Sequence, residues 1–127
     1  MSEIGSRSAL VLVVEDNDDT RYMMRLALES LSYRVCEAEN GERAIAVACR
    51  MQPDAILMDI SMPVLNGLTA TARIREHYEL RNVPIVAVTA HNEVDLRSGA
   101  QACGFTAYVT KPIDFDCLDD LIKVLLN

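Results

Sequence analysis

Five polar side chains in this chain stand where short aliphatic runs stop, and their types suggest a common chemistry. They are Glu15, Asp16, Asp59, Thr89 and Lys111. Carboxylates that meet in one crevice repel one another and raise each other's pKa values unless a cation lies between them. A hard divalent cation prefers oxygen ligands, and Mg²⁺ typically binds one or two carboxylates together with waters and phosphate oxygens. These carboxylates therefore indicate a candidate metal site.

Thr89 and Lys111 extend that chemistry to a bound phosphoryl group. A lysine supplies a compact positive charge, and a threonine hydroxyl supplies a hydrogen-bond donor. An aspartate can itself act as the nucleophile and become an aspartyl-phosphate. Each residue alone also has an ordinary explanation, such as a helix cap, a loop lysine or a strand-forming threonine. Their joint occurrence at the ends of different strands favours phosphoryl transfer, which depends mostly on positioning and charge neutralisation.

Alternating strands and helices would carry these side chains to one place. Continuous aliphatic runs are typical of strands that are buried on both faces of a parallel sheet. The predicted strands are Ala9–Val14, Tyr33–Ala38, Ala55–Met58, Val83–Val88 and Phe105–Val109. Strands that alternate with helices imply a single α/β domain, a doubly wound parallel sheet with helices on both faces. In such a sheet the site lies beyond the carboxyl ends of the strands.

Helical spacing of apolar residues predicts the elements between the strands. Asn17 or Asp18 is the expected N-cap of the first helix. The third helix is predicted to run to about Tyr78, and the fourth, from Glu93 to Cys103, has a thin apolar face. The other apolar faces are Met24, Ala27, Leu28 and Leu31 in the first helix, Ala44, Ala48 and Met51 in the second, and Leu118, Leu121, Ile122 and Leu125 in the last.

Composition narrows the classes of partner. The chain has 127 residues, 50% of them hydrophobic, and a formal net charge of −7. An acidic balance disfavours direct binding to nucleic acid or to an anionic membrane, because both need a basic surface. No stretch approaches the ~20 apolar residues of a membrane helix, and Met1–Ser8 does not resemble a signal peptide. A cytoplasmic protein is expected, and its four scattered cysteines predict free thiols that are buried or half-buried.

Five short segments, in this order, resemble the receiver domain of bacterial response regulators. They are Val14–Asn17, Met58–Pro63, Asn66-Gly67, Val88–Ala90 and Thr110–Pro112, and the similarity extends from about Ala9 to Leu126. The resemblance implies a flavodoxin-like sheet with strand order 2-1-3-4-5 and five helices. It divides the chain into a polar lead over residues 1–8 and a receiver domain over residues 9–127.

The same resemblance implies a phosphoacceptor module of a two-component or phosphorelay system. Asp59 would accept a phosphoryl group from the phosphohistidine of a sensor histidine kinase or a phosphotransfer protein. Such a domain is not a conventional enzyme, although it catalyses its own phosphorylation and dephosphorylation. Mg²⁺, or Mn²⁺ in its place, would be bound by Asp16, Asp59 and the backbone carbonyl of Ser61, with Glu15 acting through a water.

Further roles implied by the resemblance concern the phosphoryl group and a switch. Thr89, the backbone N–H of Ala90 and Lys111 would hold phosphoryl oxygens, and the Lys111–Pro112 peptide bond would be cis. Thr89 would move toward the phosphoryl group and Tyr108 would rotate inward, which would change the surface of the fourth helix, fifth strand and final helix. The alternative for Tyr108 is a core or edge aromatic. A monomer or a weak phosphorylation-dependent dimer is expected.

Other functions remain open at this point. A haloacid-dehalogenase-type phosphatase also uses an aspartate nucleophile and Mg²⁺, but it would have a second aspartate where this chain has Ser61. A flavodoxin-like cofactor binder would need a Ser/Thr/Gly-rich phosphate loop where this chain has Glu15–Asp19. The sequence leaves open whether the domain is a stand-alone regulator or the receiver of a larger or hybrid protein. It does not identify the cognate kinase, the output, the pathway or the phosphate lifetime.

Overall fold

A computed structural model of the chain describes residues 8–60, 66–89 and 104–127. The strands are Leu10–Val14 (β1), Arg34–Ala38 (β2), Ala55–Asp59 (β3), Ile85–Thr89 (β4) and Ala107–Thr110 (β5). The helices within these ranges are Asp18–Ser30 (α1), Gly41–Met51 (α2), Gly67–Arg75 (α3) and Phe115–Leu126 (α4), and a 3₁₀ turn spans Tyr78–Leu80.

The five strands form one parallel sheet in the order β2-β1-β3-β4-β5. The predicted fold class and strand order are therefore confirmed. Four of the five predicted helices fall within the described ranges, and the predicted helix from Glu93 to Cys103 lies outside them. None of the helices in these ranges has the length and apolar character that crossing a bilayer requires.

The strands supply two separate cores because successive side chains of a strand point to opposite faces of the sheet. The α2/α3 core contains Leu12, Val14, Ile56, Met58, Ile85 and Ala87 from the strands, covered by Ala44 and Val47 of α2 and Ile74 of α3. The α1/α4 core contains Val11, Val13, Leu57, Val86 and Val88, covered by Met24 and Leu28 of α1 and Leu118 and Ile122 of α4. Two-sided burial is the reason that the three central strands β1, β3 and β4 are almost wholly aliphatic, whereas the edge strands β2 and β5 are less buried and include polar residues.

An Asn or Asp side chain caps the start of each described α-helix. Asn17, Asn40, Asn66 and Asp114 accept hydrogen bonds from backbone N–H groups of the first turn of α1, α2, α3 and α4. Asn17, rather than Asp18, is thus the N-cap of α1. A cap of this kind contributes about 1 kcal/mol. It also sets where α1 and α3 begin, directly after the loops that leave β1 and β3.

The third helix is shorter than its periodicity predicts, because it ends at Arg75 and not near Tyr78. Arg75 Nη1 donates to the carbonyl oxygens of Leu80 at 2.9 Å and Arg81 at 3.1 Å. Its Nε and Nη2 donate to the carbonyl oxygen of Gly104 at 2.9 and 2.7 Å. These bonds hold the tighter turn that follows α3 and join it to the segment before β5.

Two side chains, those of Met51 and Cys117, are more exposed than the sequence predicted. Met51 is 44% exposed, because the buried arc of α2 ends with Val47 and Ala48 and leaves the last residue of the helix in solvent. Cys117 is an exposed free thiol, whereas Cys36 and Cys49 are half-buried as expected. Burial raises the pKa of the Cys36 and Cys49 thiols, so both favour the uncharged form.

Candidate functional site

Acidic side chains and a lysine meet at the carboxyl edge of the sheet. Glu15 and Asp16 follow β1, Asp59 ends β3, and one ligand oxygen from each of the three lies within 4.8 Å of the others. Lys111, directly after β5, has its Nζ 3.5 Å from Asp59 Oδ2 and 3.7 Å from Glu15 Oε1. The structure thus brings together four of the side chains that were selected from the sequence.

This cluster has a buried floor and an open rim. Glu15, Asp59 and Thr89 are 3%, 4% and 8% exposed. Asp16 is exposed, and the side chain of Lys111 is 41% exposed. Charges on the buried floor are poorly screened by water and interact more strongly than charges on the surface. The open rim leaves a side from which a ligand can approach.

The carboxyl group of Glu15 has a strongly raised pKa. Burial raises the pKa of Glu15 to about 7, and the negative charge of Asp59 acts in the same direction, against the lowering effects of the Asn17 N–H and Lys111. The Asn17 N–H donates to Glu15 Oε2 at 3.2 Å. Glu15 Oε1 is buried and has no hydrogen-bond partner among the described residues. This oxygen therefore has no hydrogen bond in place of its lost solvation, and the Lys111 ammonium at 3.7 Å offsets only part of that loss.

The donor set fits a hard divalent cation. It consists of oxygen ligands only, and it includes a buried oxygen without a hydrogen-bond partner. Oxygen-only sites with several carboxylates suit Mg²⁺ or Mn²⁺ rather than zinc or copper. Asp16 and Asp59 are the residues that would bind the cation directly, and Glu15 would act through a water. The predicted backbone ligand at Ser61 lies outside the described residues.

The remaining predicted site residues are close to β4 and β5. Thr89 ends β4 and is aligned with Thr110 of β5. The backbone N–H of Lys111 donates to the carbonyl oxygen of Thr89 at 2.8 Å, so the lysine and the threonine are joined through the main chain. The Lys111–Pro112 peptide bond is cis, the isomer that the family resemblance implies.

Tyr108 lies on β5 beside Ala87 of β4. It is half-buried and packs against the α2/α3 core. This position is compatible with the predicted switch and with an ordinary core aromatic, so the switch role stays a prediction. The predicted phosphoryl contact at Ala90 lies outside the described residues.

Gly67 has a role that sequence reasoning missed, because the residue was noted only within the Asn66-Gly67 segment that resembles the receiver family. A Cβ atom at this first residue of α3 would lie 2.4 Å from the carbonyl oxygen of Asp59 and 2.8 Å from Ile60 Cα. The Gly67 N–H also donates to the carbonyl oxygen of Ile60 at 3.0 Å. The start of α3 therefore packs directly on the backbone of Asp59. The Asn-Gly pair shortly after Asp59 was the available signal.

The raised pKa of Glu15 predicts how the metal-free protein responds to pH. The folded state keeps a proton on Glu15 up to about pH 7, whereas an unfolded chain releases it near pH 4.5. Stability therefore falls as the pH rises from 4.5 through 7, and the full penalty is present above pH 7. We expect Glu15→Gln, which carries no charge, to be about 1–3 kcal/mol more stable than wild type at pH 8. Urea unfolding in EDTA at pH 5 and pH 8 measures the difference.

The control for this prediction is Glu76→Gln, at the exposed C-cap of α3. It removes the same charge from the protein without touching the cluster, and we expect a change within about 0.5 kcal/mol at both pH values. Equal stabilities of wild type and Glu15→Gln at pH 8 would contradict a raised pKa of Glu15 in the folded protein.

Comparisons with known proteins agree with this site. The family model described as the response regulator receiver domain matches residues 11–123. Protein PilH of Pseudomonas aeruginosa is 34% identical over 118 residues, which are 93% of this chain and 98% of PilH. The polar-differentiation response regulator DivK of Brucella anthropi is 36% identical over 121 residues, which are 92% of this chain and 95% of DivK.

Solved structures show the same similarity. The chemotaxis protein CheY4 of Vibrio cholerae superposes with a TM-score of 0.89 at 28% identity and covers 94% of this chain and 100% of its own. The receiver domain of a sensor histidine kinase from Pseudomonas aeruginosa, with a magnesium ion coordinated in its active-site cleft, has a TM-score of 0.87 at 35% identity and covers 94% of this chain and 98% of its own. This chain belongs to the response regulator receiver domain family of two-component signalling.

Proposed function

We propose that this domain accepts a phosphoryl group on Asp59 from the phosphohistidine of a histidine kinase or a phosphotransfer protein. The observation that carries the proposal is the buried Asp59 carboxylate, with Lys111 Nζ at 3.5 Å and ligand oxygens of Glu15 and Asp16 within 4.8 Å. A nucleophile, a fixed positive charge and a cation site are thus adjacent, and phosphoryl transfer needs all three.

The transfer step is a displacement at phosphorus. An Oδ atom of Asp59 forms the new O–P bond as the P–N bond of the phosphohistidine breaks, and the departing imidazole nitrogen takes up a proton. Lys111 neutralises negative charge that develops on the phosphoryl oxygens, and the Thr89 hydroxyl donates a hydrogen bond to one of them. Mg²⁺ bound by Asp16 and Asp59 would supply further neutralisation of that charge.

Phosphorylation would act as a local charge switch with a distant effect. It adds about 1.5 to 2 negative charges at Asp59. Thr89 lies on the same edge, joined through the main chain to Lys111, and Tyr108 lies two residues before Thr110 on the neighbouring strand. Movement of Thr89 and rotation of Tyr108 would then alter the surface of β5, α4 and the predicted helix from Glu93 to Cys103. A downstream partner, or a second copy in a weak dimer, would recognise this surface.

Phosphorylation by a small phosphodonor tests the proposed function. We expect acetyl phosphate with Mg²⁺ to add one acid-labile phosphate per chain, because the Asp59 carboxylate can displace acetate as it displaces imidazole. Intact-protein mass spectrometry measures the addition, and borohydride reduction of the acyl phosphate followed by peptide mapping identifies the residue. Removal of the metal with EDTA should abolish the reaction. No addition in the presence of Mg²⁺, or addition at a residue other than Asp59, would overturn the proposal.

A further inference from the structure

Arg21, on α1, is connected to the loop that carries two of the acidic residues. Its Nη1 donates to the carbonyl oxygen of Glu15 at 2.8 Å. Its Nη2 donates to Asp18 Oδ1 at 2.6 Å and its Nε to Glu37 Oε1 at 3.0 Å. Only 16% of this side chain is exposed. One guanidinium therefore joins the end of β1, the start of α1 and the neighbouring strand β2.

These bonds act on the backbone at both sides of Asp16. The Arg21 backbone N–H donates to the carbonyl oxygen of Asn17 at 2.9 Å, while the side chain holds the carbonyl oxygen of Glu15. Asp16 lies between these two fixed peptides and is itself exposed. Its carboxylate therefore takes its direction from backbone that Arg21 holds. Glu37 lies on β2, opposite Val13 of β1, so the guanidinium is anchored on the sheet.

We propose that Arg21 is a positioning residue for the divalent cation, because it holds the peptide that directs Asp16 and Glu15 into the acidic cluster. This inference rests on the proposed function, since it presumes that the cluster binds Mg²⁺. The planar guanidinium donates in several fixed directions at once, which an ammonium group cannot reproduce. Partners that orient metal ligands commonly change metal affinity by about 10- to 100-fold when they are removed.

Electrostatics alone predicts the opposite sign. Arg21 carries a positive charge close to a cation site, so its removal should strengthen Mg²⁺ binding if charge were its only contribution. Loss of positioning should weaken binding. A purely structural role should lower the stability of the fold and leave the affinity of the folded protein for Mg²⁺ unchanged. The direction of the change in affinity therefore separates the three roles.

The test is calorimetric titration of the full chain with MgCl₂. We expect Arg21→Gln to raise the Kd for Mg²⁺ by about tenfold. Arg21→Lys, which keeps the charge and one donor direction, should give an intermediate Kd. Urea unfolding of each variant, measured separately, shows whether the titrated protein is folded. If Arg21→Gln does not fold, Arg21→Lys compared with wild type decides the question.

The matched control is Arg25→Gln. Arg25 is one turn further along α1, bonds Glu37 as Arg21 does and pairs with Glu29 at 3.1 Å. Its removal takes the same charge from the same helix and leaves the bond to the Glu15 carbonyl in place. We expect its Kd for Mg²⁺ to stay within about twofold of wild type.

Each remaining outcome has a defined meaning. A Kd for Arg21→Gln equal to or lower than that of wild type would overturn the positioning role and leave the proposed function intact. Equal weakening by Arg21→Gln and Arg25→Gln would also overturn it, because Glu37 rather than the Glu15 carbonyl would then carry the effect. A wild-type protein that does not bind Mg²⁺ would overturn the metal site and this inference together.

Discussion

Asp59→Asn is expected to abolish acid-labile phosphate from acetyl phosphate and Mg²⁺. An amide oxygen is a poor nucleophile toward phosphorus. The other carboxyl groups of the cluster, Glu15 and Asp16, follow β1 and do not occupy the position of Asp59 at the end of β3. Asp59 is only 4% exposed, and its Oδ2 is 3.5 Å from the ammonium of the partly exposed Lys111, so the nucleophile is buried beside a neutralising positive charge. Loss of the carboxylate also removes a cation ligand. Intact-protein mass spectrometry on matched samples measures the result.

Two controls separate loss of the acceptor from loss of the fold. Asp59→Asn relieves the repulsion between Asp59 and Glu15, so in EDTA it should be at least as stable to urea as the wild type. Asp19→Asn removes an exposed carboxylate from the first turn of α1, close to the cluster but not part of it. It should be phosphorylated normally. A normal level of acid-labile phosphate on Asp59→Asn would place the acceptor elsewhere in the chain.

Local sequence patterns were sufficient for the fold class because the burial of the central strands is regular, whereas the strand order was predicted from the family resemblance. Aliphatic runs such as Leu10–Val14 are buried on both faces of the sheet, which is the arrangement that an unbroken run predicts. The parallel order of the strands then requires the residues at their carboxyl ends to share one edge. The meeting of Glu15, Asp16, Asp59 and Lys111 could therefore be expected without coordinates, although their individual roles remain predictions.

The wrong end of α3 and the omission of Arg21 both concern contacts between distant parts of the chain. Helical periodicity predicted that α3 extends to about Tyr78, whereas the helix ends at Arg75. The residues near Arg75 in the sequence do not reveal that its side chain bonds the carbonyl of Gly104, which is 29 residues away. Arg21 was passed over for a similar reason, since its Glu37 partner is 16 residues away on another strand. The sequence predicted repulsion among the carboxylates, but only the burial of Glu15 shows that this group has the raised pKa.

Gly67→Ala is expected to destabilise the protein and to displace Asp59. An alanine in a helix is ordinarily about 1 kcal/mol more favourable than a glycine, so the substitution would stabilise an unobstructed site. Here the new Cβ would lie 2.4 Å from the Asp59 carbonyl oxygen. The obstructing atoms belong to the backbone and cannot rotate away, so β3 and α3 must separate. Overpacking of this kind costs about 1–3 kcal/mol, which urea unfolding in EDTA measures.

The displacement should also appear at the site, beyond the loss of stability. Because α3 rests on the peptide that follows Asp59, its shift moves the carboxylate relative to Glu15 and Lys111, and both the affinity for Mg²⁺ and the rate of phosphorylation should fall. Asn66→Ala is the matched control. It removes the cap that accepts from the Thr69 N–H at 2.9 Å and should cost about 1 kcal/mol, but it adds no atom against Asp59. Below its unfolding transition it should bind Mg²⁺ and accept phosphate as wild type does. If Gly67→Ala gains stability or keeps wild-type Mg²⁺ affinity, the close contact between α3 and the acceptor does not position the site.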